Sequence, residues 1–143
     1  MEKNIWTGIE PANVELPIQV INEYANSFNE TFEGKMTMTV KSKIDDSIVV
    51  TVESLLNPEQ KSEYGRYEIN VSIDVPSLKG YSLKVIVVSY DVIKIYPCAI
   101  KNLLDGSTEE CPDEETFKEK IKKLFASDDF TQMLKNLLVQ VRY

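Results

Sequence analysis

Hydrophobic positions recur at two different periods along the 143-residue chain, and the change of period divides it into segments. Ile18, Ile21, Tyr24, Ala25 and Phe28 return at spacings of three and four, which is one face of a helix over 16–32. Pro17 suits the first helical position, where its missing N–H costs nothing, and Gly34 supplies a stop. Ahead of this helix, residues 1–14 carry Ile5, Trp6 and Ile9 among polar neighbours and read as an extended arm.

From about 35 to 100 the period drops to two. Met36, Met38 and Val40 alternate with Thr37, Thr39 and Lys41, and after a turn at Asp45-Asp46 the alternation resumes with Ile48, Val50 and Val52. Such a pair predicts a β-hairpin. A polar loop runs from Asn57-Pro58 to Tyr64-Gly65, and then Tyr67, Ile69, Val71, Ile73 and Val75 interleave strictly with polar residues. A fourth strand is predicted over 81–89 and a fifth over 92–100, where Pro97 suggests an edge or a bulge. Short connections imply an antiparallel meander, since parallel neighbours need crossovers of a dozen residues or more. One face of that sheet is polar and the other needs a cover. In the fourth strand Ile86 and Val88 break the alternation, which predicts a central strand whose second face is partly covered as well.

The loop from Asp105 to Asp113 is acidic. Two helices are predicted over 112–142. Pro112 opens the first, with Asp113, Glu114 and Glu115 at its positive dipole end and Phe117, Ile121, Leu124 and Phe125 as its apolar stripe. Ser127 or Asp128 caps the second, whose apolar face runs through Phe130, Met133, Leu134, Leu137, Leu138 and Val141. The expected fold is therefore α+β in two layers within one domain, 1–143. A five-stranded antiparallel meander at about 35–100 is covered on one face by the N-terminal helix and the two C-terminal helices.

Composition agrees with a chain able to bury one core, with 43% hydrophobic residues, 27% charged, 5 Gly and 6 Pro. The longest apolar run, Val85 to Val88, is far short of the ~20 residues a membrane helix requires. The first residues show no basic segment leading into an apolar stretch, so no secretory signal is expected and a cytoplasmic location is. Cys98 and Cys111 form no C-x-x-C motif, and in a reducing compartment they read as two free thiols. The sequons at Asn29 and Asn70 read as coincidence in that setting.

Net charge is −7, unevenly spread. Residues 1–34 hold six acids and one base, and residues 104–143 nine acids and six bases, around a nearly neutral middle. Such acidity disfavours direct contact with nucleic acid or anionic membranes.

Histidine is absent, which removes the usual general base, metal ligand and partner of a nucleophilic Ser or Cys. The chain also has no glycine-rich phosphate loop and no zinc spacing. Carboxylates remain. Asp45, Asp46 and Glu53 could hold a divalent cation, although a solvated turn is the simpler reading. Glu109, Glu110, Asp113, Glu114 and Glu115 form a candidate docking patch for a basic protein, set against a solvated loop and a helix start. Lys118, Lys120, Lys122 and Lys123 read as a helix face neutralised by acids four residues away. Cys111 at a helix start reads as inert for want of a base. Trp6, the only tryptophan, is a candidate contact residue, although folding back onto the core explains it more simply.

These features point to a non-enzymatic protein-interaction module, a small acidic inhibitor of the immunity, antitoxin or anti-defence kind. It would use Glu109, Glu110, Asp113, Glu114 and Trp6 against a protein partner, a basic one if the acids dominate, and would need no cofactor. A small chaperone or assembly subunit with an apolar client face is the alternative, as is a carboxylate-based enzyme with or without magnesium. The stripe of the last helix leaves a homodimer open.

Overall fold

The computed structural model describes residues 5–44 and 66–141. Helix α1 spans Pro17–Thr31, with Pro17 at its first position. The Gln19 side chain reaches back to accept the Leu16 N–H at 2.8 Å, satisfying one of the donors a helix start leaves open. Val20, Ile21, Ala25 and Phe28 are buried, as their spacing requires. The chain leaves the helix through Gly34 at φ +79, a conformation that glycine adopts without steric cost.

Five antiparallel strands follow: β1 (Thr37–Ile44), β2 (Arg66–Val75), β3 (Tyr81–Asp91), β4 (Cys98–Asn102) and β5 (Thr108–Cys111). Their order in the sheet is their order in the chain. Two further helices are described, α2 (Glu114–Phe125) and α3 (Asp128–Val141). The three described helices contribute to one buried cluster with the inward side chains of the sheet, including Ile21 and Phe28 from α1, Phe117 and Ile121 from α2, and Phe130 and Leu137 from α3. The molecule is thus the α+β fold expected from the periodicity, with the described helices on one face of the sheet.

The predicted turn at Asp45-Asp46 and the strand around 48–52 lie outside the described residues; among the described strands β1 pairs with β2. The described strands differ from expectation in two other places. The sheet gains β5 from the segment read as an acidic loop. The predicted strand at 92–100 shrinks to β4, because Val92 and Ile93, 44% and 50% exposed, precede it outside the sheet.

Strand β3 carries the most informative deviation. Val71 pairs with Ile86, but Ser72 pairs with Lys84, which leaves Val85 as an extra residue. Before this bulge the odd-numbered side chains point inward, and after it the even-numbered ones do. Val85 and Ile86 are both wholly buried for that reason, and the freed Val85 carbonyl accepts from the Leu103 N–H at 2.9 Å. The strand is central, as predicted. The run Val85 to Val88 reflects a phase slip between two inward sets, and no described helix lies on the strand's second face.

Candidate functional site

The arm enters the fold at Glu15, and three groups hold it there. The Glu15 N–H donates to Glu114 Oε1, the Tyr96 hydroxyl donates to the Glu15 carbonyl at 2.9 Å, and Lys118 Nζ lies 2.8 Å from the Glu15 carboxylate. Lys118 also reaches Glu114 at 3.4 Å, across one helical turn. The Glu15 amide, and then the Lys118 ammonium, hold the Glu114 carboxyl below its usual range. Lys118 is held above its usual range by the same carboxylates, with Glu15 first. Burial lifts the Tyr96 hydroxyl far above the ordinary phenol value, with Cys98, Glu114 and Glu15 adding to it, so it stays a neutral donor.

Beyond this clamp the arm turns outward. Ile5, Trp6 and Ile9 are 66%, 70% and 69% exposed, three bulky apolar side chains within five residues. A local turn, in which the Ile9 N–H donates to the Trp6 carbonyl at 3.2 Å, gives this stretch its shape. Trp6 therefore does not fold back onto the core.

The acidic candidates separate into different tasks. Asp113 is the residue before α2, and its carboxylate accepts the Thr116 N–H at 2.8 Å, a helix cap that lowers its pKa. Glu114 belongs to the arm clamp. Glu109 and Glu110 are consecutive on β5 and so point to opposite faces of the sheet. Glu109 lies 3.8 Å from Lys120 of α2. Glu110 is exposed and takes part in no ion pair among the described residues. The four acids are close in sequence but do not form one docking surface. The signal that would have separated them is the capping pattern Asp113-x-x-Thr116, which assigns Asp113 to the helix.

Concavities flank this region. One of about 420 Å³ lies on the sheet face opposite the described helices, over Val87, Ser89 and Ala99, rimmed by Lys43, Arg66 and Lys101. Two of its cations are already engaged, Arg66 with Ser89 at 3.0 Å and Asp91 at 3.4 Å, and Lys43 with Glu68 at 3.9 Å. Another, of about 250 Å³, lies between Glu109, Lys120 and Leu124, and a third, of about 350 Å³, lies beside Glu15, Tyr24 and Lys118. Among the described residues no group of three His, Cys, Asp or Glu side chains is placed to hold a metal ion, and Asp45, Asp46 and Glu53 lie outside them. No described helix is long and apolar enough to cross a membrane.

Fold and surface together define a class no narrower than a small α+β protein with a clamped, outward-facing apolar arm. No family model, curated protein or solved structure matches the chain.

Proposed function

We propose that this protein is a non-enzymatic interaction module, an acidic inhibitor of the immunity, antitoxin or anti-defence kind, which grips a protein partner through its N-terminal arm. The observation that carries this reading is the exposure of Ile5, Trp6 and Ile9 on a segment whose root is fixed by Glu114, Lys118 and Tyr96. A fixed root lowers the ordering cost of binding, and tryptophan is among the residues that dominate contact energies. Glu110, without an ion pair among the described residues, adds negative charge, which favours a basic partner and faster encounter. Asp113 and Glu114 act indirectly, by capping α2 and by holding the root of the arm.

The test is to place a photo-crosslinking amino acid at position 6, capture the partner in the native host and identify it by mass. Binding is then measured with purified components. Trp6→Ala is expected to weaken the complex at least about 10-fold, and Glu110→Lys to slow association, the more so at low salt. Crosslinks to many unrelated clients would favour the chaperone reading, and crosslinks to a second copy the homodimer. A single partner whose affinity ignores both substitutions would defeat the proposal.

A further inference from the structure

Cys98 on β4 and Cys111 on β5 are register partners in the antiparallel pair, so their side chains leave the same face of the sheet side by side. Directly opposed residues in such a pair stand about 4.5 or 5.5 Å apart at Cα, according to the hydrogen-bonding phase. Both separations fall inside the ~4.4–6.8 Å that a disulfide spans. Both thiols are free, and they are 1% and 0% exposed.

We propose that Cys98 and Cys111 are a cross-strand disulfide site, a dithiol that a small-molecule disulfide closes reversibly, fastening the edge strand β5 to β4. The bond would fix Glu109, Glu110 and the entry to α2 to the body of the sheet. It is independent of the functional reading, because it depends only on strand register.

The chemistry balances with glutathione disulfide as oxidant. The Cys111 thiolate attacks one sulfur of the oxidant, forming a mixed disulfide and releasing one glutathione thiolate. The Cys98 thiolate then attacks Sγ of Cys111 and releases the second glutathione. Two electrons and two thiol protons leave the protein and end as two reduced glutathiones. Cys111 is the first attacker for a positional reason: it lies on the outermost strand, only four residues long, whose fraying opens it to solvent. The nearby Lys120 ammonium also favours its thiolate, although burial pushes the thiol up overall. Burial, and then Cys111, push the Cys98 thiol up to about 12, so closure is slow in the folded protein and waits on local opening.

The whole chain is incubated with glutathione disulfide, with and without urea below the unfolding transition. It is then quenched in acid, alkylated with iodoacetamide in denaturant and weighed intact. The expected product is a monomer lighter by two hydrogen atoms and without alkylation. Its melting temperature should lie about 5 °C or more above that of the reduced form and return with dithiothreitol. Urea should accelerate closure. Two alkylated thiols after equilibration in both conditions, a persistent glutathione adduct or a disulfide-linked dimer would each overturn the assignment.

Discussion

The side-chain amide of Asn29 pairs with both backbone groups of Met38: its Oδ1 accepts the Met38 N–H at 2.7 Å, and its Nδ2 donates to the Met38 carbonyl at 3.3 Å. Among the described residues β1 is the outermost strand on its side of the sheet, and edge strands present unpaired donors and acceptors to other chains. Asn29, on α1, supplies the pairing that a sixth strand would otherwise make at this position. Asn29→Ala is expected to cost about 1–2 kcal/mol, the worth of a pair of partly buried hydrogen bonds. It should also raise the tendency to associate through β1. Urea unfolding reads the first effect, and light scattering against concentration reads the second.

The bulge at Val85 makes a sharper prediction, because it places two consecutive residues of one strand in the core. Ile86→Ala should cost about 2–4 kcal/mol and Val85→Ala about 1–3 kcal/mol, whereas Val87→Ala, half-buried on the face opposite the described helices, should stay below about 1 kcal/mol. A strand with both faces covered would make all three severe. Chemical denaturation of the three variants distinguishes the arrangements.

What the sequence carried legibly was whatever buries a regular stripe. Strand β2 alternates without interruption from Tyr67 to Val75, and α1 and α2 repeat their apolar residues at helical spacing. Strand β5 gave no such signal, since three of its four residues are polar and exposed and only Cys111 is buried. Its strand character comes from pairing with β4, a long-range fact that no local window contains. Val92 and Ile93 misled in the opposite way: apolar residues read as strand stand at the surface before β4 begins. The candidate site was legible in part. Trp6 and Glu110 are surface residues, but the internal tasks of Asp113 and Glu114 depend on one helix start and on an arm 99 positions away in sequence.

Phe117 joins the sheet, α2 and the arm's anchor. It is wholly buried, and its ring centroid lies 6.4 Å from that of Tyr96, whose hydroxyl holds Glu15. Phe117→Ala should destabilise the fold by about 3–5 kcal/mol. Phe117→Leu should restore much of that while leaving Tyr96 less well supported. The split is read by comparing the global unfolding free energy with hydrogen exchange at the Glu15 amide. In the leucine variant, exchange at Glu15 should rise more than exchange in β2.

The arm clamp also sets a pH dependence whose sign follows from its charges. The carboxyls of Asp113 and Glu114 titrate below their ordinary values of 3.8 and 4.5, through the Thr116 and Glu15 amides respectively. A depressed folded-state pKa gives stability that is present above the unfolded value and is lost as pH falls through the folded one. Lys118, raised above 10.5, behaves in the opposite sense, and its contribution is lost as pH climbs through the raised value. The clamp is therefore fully charged from about pH 5 to about pH 10 and loosens on both sides. In wild type, Glu15 amide protection corrected for intrinsic exchange should fall on acidification below about pH 4.5, before the core opens. Glu114→Gln should remove that pH dependence, and Asp113→Asn should flatten the acid limb of the unfolding curve. If Glu15 protection follows the same acid profile in wild type and in Glu114→Gln, the Glu114 carboxylate is not what ties the arm to α2.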